Sequence, residues 1–120
     1  MKKVSVSELS GEGLDYAVAL AEIKGTCWEG NQNWVEGYIE AHAPSTNWQD
    51  AGSIIEREGI SLLYRIGKEG VCNPYYHAQV GPEEPENHTL MTDENPLVAA
   101  MRSFVASKFG DYVEIQNELL

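Results

Sequence analysis

Asn95-Pro96-Leu97-Val98-Ala99-Ala100-Met101-Arg102-Ser103-Phe104-Val105-Ala106-Ser107-Lys108-Phe109-Gly110, followed by Asp111-Tyr112-Val113-Glu114-Ile115, carries a full set of helix start and stop signals. The Asn95 side chain suits an N-cap. Pro96 fits the first helical position, where no N–H is needed, and Gly110 can adopt the left-handed conformation that ends a helix. The spacing predicts a helix of about 14 residues. Leu97, Ala100, Met101, Phe104, Val105 and Lys108 fall on one side of it, so it should lie against a core with a basic residue at its lower edge. This stretch decides the fold without offering catalytic chemistry.

Working outward, Lys2 to Val6 alternates polar and apolar residues, as in a short edge strand whose lysines discourage further pairing. After Ser10 or Gly11, the residues Leu14, Ala17, Val18, Leu20 and Ala21 give a second amphipathic helix that ends near Gly25. Thr26 to Ala43 is rich in Trp, Asn and Gly and reads as a loop with one short strand, a kind of segment that often carries binding groups. Ser45 or Thr46 caps a short helical turn through Trp48 and Asp50, and a further short helix covers Ile54 to Glu58 and stops at Gly59. Ile60–Ile66 and Tyr75–Val80 read as an antiparallel pair joined by a turn over residues 67–74. Residues 81–94 form an acidic, proline-containing loop. The expected fold is α+β: one domain over residues 1–120, with antiparallel strands packed against two main helices.

A chain of 120 residues, 42% hydrophobic, can bury one core but not two. Nineteen acidic residues against eight basic ones leave a formal charge of −11, which opposes direct binding to DNA or to an anionic membrane. No apolar run approaches the roughly 20 residues of a membrane span, and Met1-Lys2-Lys3 leads into no signal-peptide core. A cytoplasmic location follows, in which Cys27 and Cys72 remain free thiols.

Two segments resemble a known family. Pro44-Ser45-Thr46-Asn47-Trp48, with Ile54-Ile55-Glu56-Arg57-Glu58 after it, is similar to the Pro-Ser-Thr-Asp-Trp and Ile-Ile-Glu-Arg-Glu pattern of the NinX-like family of small tailed-phage accessory proteins. Pro96 to Arg102 and Val105 to Asp111 resemble that family's closing Pro-Leu-Ile-Ala-Ala-Met-Arg and Val-Ala-Ser-Lys-Leu-Gly-Asp. The N-terminal Val4–Gly11 and Leu14–Ala19 stretches match as well. The chain departs from the pattern at Asn47, Ala51 and Ser53, where Asp, Gly and Pro are usual, and over the variable stretch Gly25 to His42, so an acidic role at position 47 does not transfer. The resemblance implies a phage origin and expression in the cytoplasm of a host bacterium. It carries over no activity residue by residue.

His42, His77, His88, Cys27, Cys72 and Asp93 are metal-ligand types, but no two stand at a close ligand spacing, so neither a metal nor a cofactor is expected. Cys72 lies five residues from His77, yet an unpaired cysteine is more often a small buried hydrophobe than a nucleophile. The glutamates occur in runs, which are usually solvated faces, and no phosphate-loop, dinucleotide or nucleophile-elbow motif is present. No catalytic residue is assigned, and a small enzyme is the minority reading.

The richest candidate site is Ser45, Thr46, Asn47 and Trp48, which offers two hydroxyls, an amide and an indole face in four residues. Arg57, Arg102 and Lys108 would supply cations for a phosphate. The competing account is a helix cap followed by a tryptophan anchored in the core, and it is preferred for Trp48 alone. Arg102 is solvated on the outer face of its helix, or turned toward the Trp48 segment, or at the border of the core, where its spacing puts it beside Val98 and Phe109. Trp28, Trp34, Tyr38, Tyr75 and Tyr76 form a second aromatic group, suited to an interface or ligand lid if exposed. The expected function is a binding role: counter-defence by sequestering a small nucleotide-like ligand such as an immune signal. The alternative is an acidic inhibitor that binds a host defence protein or nuclease as a nucleic-acid mimic. A homo-oligomer is compatible with either.

Overall fold

The computed structural model describes residues 2–65, 75–81 and 88–116. In chain order these form β1 (Lys2–Ser5), a 3-10 turn (Val6–Glu8), α1 (Gly11–Ile23), α2 (Gln32–Ala41), α3 (Trp48–Glu58), β2 (Ile60–Arg65), β3 (Tyr75–Val80), β4 (Met91–Asp93), α4 (Pro96–Phe109) and β5 (Tyr112–Ile115).

The α4 boundaries follow the predicted signals. Asn95 Oδ1 accepts from the N–H groups of Leu97 (2.8 Å) and Val98 (3.4 Å). At the far end Gly110 takes φ +81° and its N–H bonds Ala106 O at 2.8 Å. The burial is wider than a single stripe, because every residue from Leu97 to Ala106 is buried. Helix α4 is thus the axis of the molecule, packed between α1, α3 and the strands. Its small residues Ala99, Ala100, Ser103 and Ala106 let neighbouring elements approach on several sides.

Strands β2, β3 and β4 form an antiparallel sheet in that order, with Leu62 opposite Ala78 and Ala78 opposite Met91. Ile60, Leu62, Ala78, Val80 and Met91 from its inner face join the core. A separate two-stranded sheet pairs β1 with β5, Val4 standing opposite Val113. The architecture is the expected α+β domain with antiparallel strands.

Four α-helices occur among the described residues, rather than two main ones. The segment read as a loop contains α2. Asn31 Oδ1 accepts from Trp34 N–H at 3.1 Å and caps it, Val35 is buried, and Trp34, Tyr38 and Ile39 pack partly against the core. Gly37 and the polar composition hid that 3.6-residue pattern. The predicted turn and second short helix after Ser45 are one helix, α3, and its cap is Asn47, whose Oδ1 accepts from the N–H groups of Gln49 (2.8 Å) and Asp50 (3.3 Å). Gly59, at φ +64°, ends it as expected. Residues 91–93 of the predicted acidic loop are β4, and residues 82–87 lie outside the described residues, as does the predicted 67–74 turn.

Candidate functional site

Helices α1, α3 and α4 end at one place. The unpaired carbonyls of a helix C-terminus carry partial negative charge and attract cations to the last turn. Arg57 occupies that position in α3 and Lys108 in α4. Lys24, the residue after α1, donates from Nζ to Lys108 O and lies 4.6 Å from the centre of the Phe109 ring. With Glu22, Glu58, Trp34 and Phe104, these three cations line a cleft of about 380 Å³.

The charges in the cleft are interlocked. Arg57 grips Glu22 of α1 in a two-pronged contact, its Nη1 and Nη2 each meeting one carboxylate oxygen. Its Nε bonds Glu58 Oε2 at 3.0 Å, and Glu58 Oε1 stands 3.6 Å from Lys108 Nζ. Burial opposes the Arg57 charge, but the bonds to Glu22 and Glu58 outweigh it and raise its pKa, so the guanidinium is always charged. Arg57 and Lys108 also lie 5.7 Å and 6.0 Å from the centre of the Phe104 ring.

A second cavity, about 300 Å³, is lined by Tyr38, His42, Gln49, Asp50, Ser53 and Ile54, and Glu22 borders both it and the cleft. Trp34, Tyr38 and His42 recur every four residues on α2 and so form a ladder. Trp34 and Tyr38 are stacked at 5.4 Å with 16° between their planes, and Tyr38 and His42 follow at 4.8 Å and 41°. Gln49, Ser53 and Arg57 recur at the same interval on α3. An aromatic row on α2 and a polar row on α3 therefore line the two cavities. Burial, with added repulsion from Glu22 and Asp50, pushes the Tyr38 phenol well above its ordinary range, so it remains a neutral donor. Asp50 is held below the usual carboxylate range, first by the Ala43 N–H and then by His42 Nδ1, each 2.9 Å away.

Of the predicted site residues, the structure brings Arg57 and Lys108 together here. The others lie elsewhere. Ser45 is buried, its N–H donating to Asp15 Oδ1 at 2.8 Å and its hydroxyl to Gly11 O at 3.5 Å. Thr46 Oγ1 donates to Ala43 O at 3.4 Å, and Asn47 is the α3 cap. Trp48 is 57% exposed, so the account that anchored it in the core is overturned. It starts α3 while Arg57 ends it, about 13 Å apart along a helix axis. Arg102 is 8% exposed, so of its three alternatives the core-border placement holds, rather than solvent or the Trp48 segment. Its Nε donates to Leu9 O at 2.7 Å and its Nη1 to Thr92 O at 2.9 Å and Asp93 Oδ1 at 3.1 Å.

Lys24, Glu22 and Phe104 were not singled out from sequence, because their meeting depends on three helix ends converging. Trp34 and Tyr38 were, but as members of a loop. Cys27 is exposed, and Cys72 lies outside the described residues. Among the described residues no three His, Cys, Asp or Glu side chains are grouped as metal ligands.

Fold and cleft define a small α+β domain in which cations and aromatic rings line a cleft among the helices. The chain belongs to the family described as Bacteriophage P22, NinX, whose model matches residues 5–108. No individual curated protein matches it. None of its described helices is long and apolar enough to cross a membrane.

Proposed function

We propose that this phage accessory protein acts in the host cytoplasm by binding, and that it sequesters a small nucleotide-like ligand in the groove between α2, α3 and the end of α4. The observation that carries this reading is the clustering of Lys24, Arg57 and Lys108 beside Trp34 and Phe104. In a chain with only eight basic residues and a formal charge of −11, three cations converge at one aromatic-walled cleft and outnumber its two carboxylates. A flat base stacks on the Trp34–Tyr38 wall, and phosphate oxygens take the N–H donors of Arg57 and the ammonium of Lys108. The cleft volume lies within the usual range for small-molecule sites.

Sequestration needs no bond to be made or broken, and capturing an immune signal would blunt a host defence. Native mass spectrometry of the protein expressed in its bacterial host, followed by denaturation, tests this. The expected result is an unchanged nucleotide released from wild type and lost from Arg57→Ala. Release of a chemically altered product would replace sequestration with catalysis.

A second reading rests on the N-terminal end of α1. Glu12, Asp15 and Glu40 line a cavity with Ile39, and burial together with nearby Asp50 and Glu12 pushes the Asp15 pKa up. Such crowded carboxylates suit an inhibitor that presents acidic groups to a basic groove on a host protein. Ligand-free protein that retains a host polypeptide, in a complex dissolving steeply with salt, would favour this alternative.

A further inference from the structure

Resting on the reading of the cleft as a nucleotide site, we infer that its ligand carries a singly charged phosphodiester, as in a cyclic nucleotide, rather than a phosphomonoester or polyphosphate. Two features of the cleft lead there.

The first is charge. Three cations and two carboxylates line it, leaving a formal excess of one positive charge. The C-termini of α1, α3 and α4 add partial negative charge, each equivalent to about half an electron at most. The excess is therefore at most one positive charge, so a single negative charge meets little opposition and a second meets the carboxylates and helix ends uncompensated. A phosphomonoester carries about −1.5 to −2 at neutral pH, so its extra charge would face Glu22, Glu58 and the helix ends uncompensated.

The second is shape. Arg57 already holds two acceptor oxygens in a planar fork, those of the Glu22 carboxylate. A phosphodiester has two unesterified oxygens and one charge, so it can replace that carboxylate on the same two N–H groups, while Glu22, turned aside, still lines the cleft and keeps its negative charge there. Glu22 then serves as the placeholder that keeps Arg57 oriented before the ligand arrives. Trp34, on the rim of the cleft, supplies the face for the attached base. Nucleic-acid polymer also contains phosphodiesters, but each further phosphate would meet the field of the −11 chain, which selects a small ligand.

Calorimetric titration at fixed moderate salt tests the inference, comparing each of the four 3′,5′-cyclic nucleotides with the matching nucleoside 5′-monophosphate. The base and sugar are constant within each pair, so the difference reports phosphate charge and shape. For at least one base the cyclic form should bind about ten-fold tighter or more, the size of one unit of mismatched charge at close range. Glu22→Gln removes one negative charge from the cleft and should narrow that gap, chiefly by improving the monophosphate. Glu58→Gln should act in the same direction and stands in if the Glu22 variant fails to fold by circular dichroism. A monophosphate that binds as tightly as its cyclic partner, with both lost in Arg57→Ala, would overturn the phosphodiester preference and leave the nucleotide site standing. Failure of every nucleotide to bind wild type at millimolar concentration would remove the site itself. A short oligonucleotide that bound more tightly than any cyclic nucleotide would overturn the preference for a small ligand.

Discussion

Arg102 and Arg57 carry the same guanidinium group, but their partners give them different work. Arg102 ties the turn at Leu9 to strand β4 through Thr92 and Asp93 from inside the molecule. Truncating it leaves buried carbonyls without donors, so Arg102→Ala should lower the unfolding free energy by about 3 kcal/mol in a urea titration. Arg57 has a side chain 49% exposed, and its ion pairs exchange with solvent. Arg57→Ala should cost no more than about 1 kcal/mol of stability while abolishing ligand binding. Asp15 makes a third test. Burial raises its pKa above the ordinary value despite the Ser45 hydrogen bonds, so the folded chain holds a proton there more readily than the unfolded chain does. Its favourable contribution is present below its unfolded pKa and is lost as pH rises through the raised folded value. Asp15→Asn should therefore raise the urea midpoint near pH 7, by a margin that shrinks as the pH falls toward about 4.

At the scale of elements, α4 was legible in the sequence because its signals are local: a capping Asn, a Pro at the first position and a Gly at the end. The β2–β3 pair was legible for a similar reason, two short apolar and aromatic runs separated by turn residues. Helix α2 was not, since Gly37 interrupts a weak pattern and the apolar positions Trp34, Val35, Tyr38 and Ile39 become a face only once α1 is there to cover them. Gly37 is exposed inside α2, with no atom within 4 Å of where a Cβ would stand. Gly37→Ala should thus stabilise the fold by about 0.5–1 kcal/mol, a gain specific to a helical backbone. At the start of α3, Asn47→Ala should cost about 1 kcal/mol through the lost cap, whereas Trp48→Ala should change stability by less than about 0.5 kcal/mol. Capping chemistry near Trp48 was visible in the sequence, but its owner was misassigned. Ser45 or Thr46 was the expected cap, but Asn47 holds that position, and the Ser45 N–H is instead held by Asp15, thirty residues earlier in the chain.

Over the whole molecule, convergence is what separates the observed site from the one read in sequence. Lys24, Arg57 and Lys108 are spread over more than eighty residues, and no spacing rule links them. They meet because α4 runs through the centre and α1 and α3 end beside its last turn. That arrangement also explains why an acidic protein can present a local site for an anion: each helix end attracts a cation, and three ends adjoin. The central claim is that this cleft, rather than the Trp48 turn, holds the ligand. Its most direct test is a two-dimensional 1H–15N spectrum of the protein titrated with the tightest-binding nucleotide of the calorimetric panel. The indole N–H of Trp34 and the backbone amides around Lys24, Arg57 and Lys108 should shift together and saturate, with the Trp48 indole unmoved. Shifts centred on Trp48, or none at all around Trp34 and Arg57, would contradict it.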